Sequence, residues 1–371
     1  MNRLPVVLVT GSSGYLGSAI CVDLCRDHMV LGLDRRPPSR DLRNQARGAE
    51  WGGVDITHAR SLVDWTSRMG ERYGGVDVVI HLAAFYHYGK RWLPEYGRIN
   101  VAGLRNTLDA AVAVNAKRFV FAGSIASLPP PPPGRMLTEK STPVGQVAYA
   151  RSKALGETML MDYHDRIPCV SLRIGGVFSD WCELPPLYSL IRMWSSPMPS
   201  GRMVPGQGTS GFPYIHRDDL VRAVRKVLQA SHRLAPLERL FAAPSGCTLH
   251  RELFPLIREG MGFDSAARPI FVPPVAAGMA LFIRNRFKVL LGQRRYERRW
   301  MLDYVDRPLI VDAGYTHALL DWRPSSELGV LQRLPVLMRH FNNDRQEWEK
   351  RNIRRNEGRY DYQTESSGGA G

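Results

Sequence analysis

Cysteine is scarce: Cys21, Cys25, Cys169, Cys182 and Cys247 are all that 371 residues contain. The number is odd and no two stand in a C-x-x-C pair, so a disulfide framework is excluded and a reduced, cytoplasmic setting is expected. No metal site is expected either. Long apolar runs are also lacking. The longest, Ile270 to Ile283, holds two prolines and stops at Arg284, too short to span a bilayer. The first apolar run is only a strand long and leads straight into glycines, which does not read as a secretory leader. Acid is in short supply, with 35 Asp and Glu against 50 Lys and Arg, a net charge of +15. Between 284 and 299 only Glu297 faces Arg284, Arg286, Lys288, Arg294, Arg295, Arg298 and Arg299, and Lys350, Arg351, Arg354 and Arg355 follow. A solvated helix face and a basic tail account for these. No nucleic acid is expected as partner, while a peripheral contact of 275–299 with an anionic lipid surface stays open.

What is there begins at once. Val6-Val7-Leu8-Val9-Thr10 is a short β-branched run that reads as a buried parallel strand. It ends in Gly11-Ser12-Ser13-Gly14-Tyr15-Leu16-Gly17, three glycines at three-residue spacing, and a helical pattern opens at Ala19. Strand, tight turn and helix start gather backbone N–H groups and a positive helix end at one point, which suits a pyrophosphate. A second strand-like run, Met29 to Leu33, ends in Asp34, where a carboxylate can take the ribose hydroxyls of a dinucleotide. Arg35 and Arg36 follow directly. Asp34 favours NAD, and the two arginines keep NADP open.

Strand and helix signals alternate through the first half, with strand candidates at 6–10, 29–33, 76–81, 118–122 and 169–174. That pattern predicts an α/β fold of the Rossmann type, a doubly wound parallel sheet, with a smaller C-terminal α/β substrate region. We divide the chain into a nucleotide-binding part at 1–180, a substrate-binding part at 181–345 that returns to the sheet near 213–230, and a basic, partly disordered tail at 346–371. The prolines from Pro129 to Pro133 form a surface connector. Pro and Gly crowd the chain from Leu184 onward, which predicts loops and short elements.

Tyr149-Ala150-Arg151-Ser152-Lys153 carries a second signal. A Tyr and a Lys four apart share one helical face. A phenol is a poor base near neutrality unless a cation lowers its pKa from about 10, and Lys153 supplies that charge. Ser124 follows the run Phe119 to Ala122, at the carboxyl end of the sheet where ligands bind in this architecture. Its hydroxyl can hold a substrate oxygen while Tyr149 moves the proton.

Thr10-Gly11-x-x-Gly14-x-x-Gly17, His81-Leu82-Ala83-Ala84, Asn100, Ser124 and Tyr149-x-x-x-Lys153 together resemble the extended short-chain dehydrogenases, the NAD-dependent epimerase/dehydratase group. The resemblance runs over roughly residues 5 to 335. It implies Tyr149 as acid/base, Lys153 as binder of the nicotinamide ribose and tuner of the tyrosine, and Ser124 as the group that polarises the substrate oxygen. It also implies cofactor contacts at Gly11, Ser13, Gly14, Tyr15, Leu16, Gly17, Asp34, Arg35, Leu82, Ala83, Ala84 and Asn100. Asp55 and Ile56 resemble the pair beside the adenine, and a homodimer is expected by the same analogy. Nucleotide-sugar members carry an Asn where this chain has Gly176, and an Arg where it has Phe212-Pro213; both grip a diphosphate. With those donors gone, a buried diphosphate is costly. Aromatic and apolar residues at Phe85, Tyr86, Tyr88, Trp181, Leu187, Met193 and Trp194 fit a small-molecule substrate with an apolar body, a secondary alcohol or ketone, as in the related 3β-hydroxysteroid dehydrogenases. A nucleotide-sugar epimerase or dehydratase is the alternative enzyme. A non-catalytic NAD(P)-binding scaffold or sensor is the alternative of another class.

Overall fold

Seven parallel strands form one sheet, and the runs at its centre bury every residue. The structure is a computed structural model that describes residues 3–87, 89–263, 268–276, 278 and 299–354. In chain order the sheet and its helices are β1 (Val6–Thr10), α1 (Tyr15–Leu24), β2 (Met29–Asp34), α2 (Arg40–Gln45), β3 (Glu50–Gly53), α3 (Ala59–Tyr73), β4 (Val78–His81), α4 (Gly103–Ala113), β5 (Arg118–Ser124), α5 (Ala148–Tyr163) and β6 (Cys169–Ile174). After an excursion come β7 (Gly176–Phe178), α6 (Pro185–Trp194), β8 (Met203–Pro205), β9 (Gly211–Phe212), β10 (Tyr214–His216), α7 (Arg217–Gln229) and β11 (Leu237–Ala242). The spatial order is β11-β6-β5-β4-β1-β2-β3. It reverses between β1 and β4, and in open α/β sheets ligands bind outside the carboxyl ends at such a point. All five expected strands are present, with the third shortened to Val78–His81.

Side chains alternate between the two faces, as strand geometry requires. On one face Val7, Val9, Ile80, Val120 and Leu172 pack against Ile20 and Leu24 of α1 and Leu220, Val224 and Val227 of α7. On the other, Val6, Leu8, Val79, Phe119 and Phe121 pack against Leu104 and Leu108 of α4 and Met159 and Leu160 of α5. Both faces are covered, so the strands read as continuous apolar runs rather than alternating ones. The two outermost strands, β3 and β11, were not expected.

The region after Leu184 holds short elements, as expected, but opens with a ten-residue helix. Pro185 and Pro186 stand in the first turn of α6, where a missing N–H is no loss and the fixed φ suits the helix. Its Leu187, Tyr188, Ile191 and Trp194 form a second core with Leu253, Phe254 and Ile257 of α8 (His250–Gly260). Helix α9 (Gly314–Leu320) packs back against the sheet region, and α10 (Val330–Asn343) adds Leu334, Leu337 and Met338 to the second core. The tail continues as α11 (Arg345–Glu349) and a further helical turn over Lys350–Arg354, with Trp348 and Asn352 fully buried. Residues 346–354, the start of the stretch expected as a basic, partly disordered tail, are folded onto the second core. The basic stretch 284–298, most of the apolar stretch before it, and 355–371 lie outside the described residues. No described helix is long and apolar enough to cross a membrane.

Candidate active site

The turn after β1 is shaped by close approach. Gly11 has φ +71°, and a Cβ there would lie 2.8 Å from the Ala83 nitrogen. Gly14 donates its N–H to the Gly11 carbonyl at 3.0 Å. A Cβ on Gly17 would stand 2.1 Å from that same carbonyl oxygen. Helix α1 therefore starts directly against the turn. It has no capping side chain and no acid in its first turn. The start of α1 thus faces the turn, and backbone N–H groups and the helix dipole at such an end favour an anion. This backbone cradle, which side chains would fill, fits the pyrophosphate of a dinucleotide.

Asp34 closes β2 beside the cradle. Its carboxylate accepts the Ser13 N–H at 3.1 Å and the Arg36 N–H at 2.9 Å. Asp55 accepts the Thr57 N–H at 2.8 Å, and Ile56 is buried under α4, its carbonyl taken by Asn106 at 2.9 Å. Leu82, Ala83 and Ala84 follow β4 and line the same cavity as Gly11, Ser13, Gly14, Tyr15, Leu16, Gly17, Asp34, Arg35, Asp55 and Ile56.

On α5, Tyr149 and Lys153 stand one turn apart, and both line the cavity with Ser124. Lys153 is 4% exposed, and its ammonium donates to the Ala122 carbonyl at 2.7 Å. The same Nζ lies 5.8 Å from the Tyr149 ring centroid and 4.9 Å from that of Phe121. Burial pulls the lysine down to about 8. Ser124 ends β5 and accepts the Ala126 N–H at 3.2 Å. Tyr149 packs edge-on against Tyr86, with ring centroids 4.7 Å apart. His81, beneath this group, is pulled down to about 3 by burial and then by Lys153, so it is neutral; its Nδ1 lies 3.0 Å from the Thr10 hydroxyl.

Asn100 is not among the cavity-lining residues. Its amide oxygen accepts the Phe85 N–H at 2.7 Å, and its amide nitrogen donates to the Phe85 carbonyl at 3.0 Å and to the Ser152 hydroxyl at 2.9 Å. It ties the loop that carries Tyr86 to the helix that carries Tyr149. It acts from behind the wall rather than on a ligand.

One cavity of about 840 Å³ joins the glycine turn to the second core. Of the aromatic and apolar residues singled out from sequence, Phe85, Tyr86 and Met193 line it. Leu187 and Trp194 are fully buried in the second core, and Trp181 stacks on His340 with centroids 3.9 Å apart. Tyr88 lies outside the described residues. Glu183, His250, Met301 and Tyr304 also line the cavity. Sequence reasoning missed them because no local motif marks them; they come from separate segments that only the tertiary fold assembles.

The Lys153 shift has a testable sign. Below pH 8 the lysine is protonated folded or unfolded, and its burial penalty is complete. Between about 8 and its ordinary value of 10.5 the folded chain releases a proton that the unfolded chain keeps, so this group's contribution improves as pH rises. In urea titrations without cofactor, the wild type should gain on Lys153→Met by up to about 3 kcal/mol between pH 7 and pH 10.5. Parallel pH curves for the two proteins would contradict this.

Comparison with known proteins gives the fold and the family. Over 239 residues the chain is 28% identical to an uncharacterized UDP-glucose epimerase, YtcB, of Bacillus subtilis (strain 168), covering 61% of this chain and 73% of that one. It is 28% identical over 196 residues to 3 beta-hydroxysteroid dehydrogenase type 7 of Mus musculus, covering 47% of this chain and about half, 51%, of the relative. Among solved structures, the UDP-glucose 4-epimerase of Thermotoga maritima with UDP-glucose superposes with a TM-score of 0.66 at 19% identity, over 91% of this chain and 99% of that one. The UDP-glucose 4-epimerase of Thermus thermophilus in complex with NAD gives 0.64 at 21% identity, over 91% and 99%. These likenesses show the fold. The model of the NAD dependent epimerase/dehydratase family matches residues 7–239, well over half of the chain, and the protein belongs to that family of NAD-dependent enzymes.

Proposed function

We propose that this enzyme moves a hydride between NAD and a secondary alcohol or ketone on a largely apolar substrate, with Tyr149 as the acid/base. The observation that carries the reading is the single cavity in which Ser124, Tyr149 and Lys153 stand between the glycine cradle and an apolar wall that includes Leu184, Met193, Phe212 and Val272. When bound, NAD supplies the hydride acceptor or donor. The residues of the chain do the rest. Ser124 holds the substrate oxygen, Tyr149 gives or takes its proton, and the Lys153 ammonium favours the phenolate. Asn100 keeps the Tyr86 loop against α5, so the phenol has a fixed neighbour.

The apolar substrate is supported by the two departures from the nucleotide-sugar pattern, which touch each other. A Cβ on Gly176 would lie 2.9 Å from Phe212 Cδ1 and 3.1 Å from Leu184 Cδ2. The space for a diphosphate-binding side chain is filled by hydrocarbon. One observation favours a nucleotide-sugar epimerase instead: Arg307 lines the cavity and offers a cation for a phosphate. Absorbance at the nicotinamide band separates the two. Purified protein with NAD or NADH is screened against sterols, acyl ketones and UDP-sugars. Net reduction or oxidation with sterols or acyl ketones is expected; conversion of UDP-sugars alone, with no net absorbance change, overturns the reading.

The choice of dinucleotide rests on Asp34. A 2′-phosphate would meet a carboxylate already fixed by Ser13 and Arg36. Asp34→Asn removes that repulsion and leaves Arg35 and Arg36 in place. Measured by nucleotide fluorescence, the NADH-over-NADPH ratio of affinities should fall by about tenfold. An unchanged ratio would remove Asp34 from the selection.

A further inference from the structure

The cavity wall beyond Tyr149 carries a carboxylate that the proposed chemistry does not use. Glu183 lines the cavity next to Leu184, with its side chain only 2% exposed. Its neighbours on this wall include the apolar Leu184, Pro185, Met193 and Phe212, with Ser189, His250, Tyr304 and Arg307 further along the same cavity. A carboxylate is costly to place there, and its two oxygens accept but never donate. Its backbone is costly as well. Cys182 has φ +69° and Glu183 has φ +58°, two successive residues in the left-handed region without being glycine.

Two contacts hold the carboxylate and a third residue holds its backbone. The Ser179 hydroxyl donates to Oε2 at 2.7 Å. Arg351 Nη1 stands 3.6 Å from Oε1, while its Nε is given to Glu347 at 2.8 Å. Asn352, on the same terminal turn, accepts the Glu183 N–H at 2.8 Å and donates to the Trp181 carbonyl at 2.8 Å. The terminal turn thus stabilises a strained loop whose outcome is an anionic acceptor on the cavity wall.

We propose that Glu183 is a specificity-determining residue that accepts a hydrogen bond from a second hydroxyl of the substrate, away from the reacting carbon. The inference rests on the apolar-substrate reading and refines it: the ligand is an apolar body with a hydroxyl at each of two places. Ser124 and Tyr149 take the reacting oxygen, and Glu183 takes the other. A carboxylate at this place discriminates, because a ligand that donates a hydroxyl to it gains a charge-assisted hydrogen bond that an analogue lacking the hydroxyl does not. Arg351 and Asn352 are positioning residues that act through Glu183.

The test is equilibrium binding, which does not depend on turnover. Quenching of tryptophan fluorescence, with Trp181 adjacent to the site, reports Kd in the presence of NAD. The probes are matched pairs that differ by one hydroxyl: steroid diols with their mono-ols, and long-chain diols with their mono-ols. The wild type should bind the diol of at least one pair about tenfold tighter or more. Glu183→Gln should cut that ratio to about threefold or less, since a neutral acceptor bonds more weakly. Replacing both charges, as E183M/R351M, keeps the volume filled and leaves no unpaired ion, so the variant should fold while its ratio falls to about one. A diol preference that survives in the double variant overturns the proposal and leaves the Glu183–Arg351 pair as a structural link. Equal binding within every pair by the wild type overturns this inference alone. Binding of no member of either series overturns the apolar-substrate reading and the inference with it.

Discussion

Tyr149→Phe lowers kcat and kcat/KM together by about 10³ and leaves NADH affinity within about threefold of the wild type. The size follows from what a positioned acid/base contributes, about 10²–10⁴ in rate. The selectivity follows from the site. Phenylalanine keeps the ring that packs edge-on against Tyr86 at 4.7 Å, so the loop held by Asn100 and the cavity wall stay in place. Lys153 keeps its bond to the Ala122 carbonyl and its burial. Only the hydroxyl is lost, and with it the proton path that the proposed mechanism uses in the transition state rather than in binding. Steady-state rates on whichever substrate class the absorbance screen identifies, together with NADH fluorescence titration, check both halves. The residual rate should also lose the part of its pH dependence that the phenol imposes. A loss below tenfold would move the proton transfer to another group in the cavity.

The first 180 residues could be read closely because their chemistry is local. A buried parallel strand must be apolar on both faces, so β1, β5 and β6 announce themselves as continuous runs. Gly14 and Gly17 answer to contacts with Gly11 inside the turn, although Gly11 itself is pressed by Leu82 and Ala83 after β4. Tyr149 and Lys153 meet because they share a helix face. The two strands that sequence reasoning missed are the two ends of the sheet. β3 is Glu-Trp-Gly-Gly, with two glycines and no β-branched residue. It is a strand because its partners make it one: the Trp65 ring lies where a Cβ on Gly52 would be, and the Trp51 ring lies where a Cβ on Gly32 would be. β11, Leu-Glu-Arg-Leu-Phe-Ala, carries charge at an edge, and pairing with β6 decides it. Its burial is incomplete only at Leu237 and Arg239. Tertiary context overrides weak strand propensity at both places.

The substrate region was harder for the same reason. Proline read as a loop former, but at the start of α6 it is a helix starter, and nothing within the segment distinguishes the two uses except the apolar spacing of Leu187, Ile191 and Trp194. Asn100 was visible as a polar residue opening a helix, yet its role depends on Phe85 and Ser152, which lie 15 and 52 residues away. Glu183 depends on Asn352, 169 residues distant. Such pairings leave no periodic trace in one sequence. What the alternating pattern conveys is where a ligand must sit; what the long-range contacts decide is which ligand fits.

Gly17→Ala raises the Kd for NADH by about 100-fold or more and lowers unfolding stability by about 2–4 kcal/mol. The added carbon would lie 2.1 Å from the Gly11 oxygen and 2.8 Å from both the Gly11 carbonyl carbon and the Ser12 Cα. All three neighbours are backbone, so no side chain can swing aside. Relief requires α1 to back away from the turn. That helix is seated by Ile20, Cys21 and Leu24, each 1% exposed or less against the sheet, so withdrawal opens the core. It also carries the first-turn N–H groups away from the phosphate cradle, and binding falls further than stability alone requires. Gly14→Ala should be milder, because its Cβ would meet the Gly11 oxygen only at 3.0 Å and its φ of −77° suits any residue. Gly48→Ala, with nothing within 4 Å, is the control and should change neither quantity. NADH titration and urea unfolding on the three variants give a ranked series. Binding by Gly17→Ala within tenfold of the wild type would mean that the tight seating of α1 on the turn is not what forms the dinucleotide site.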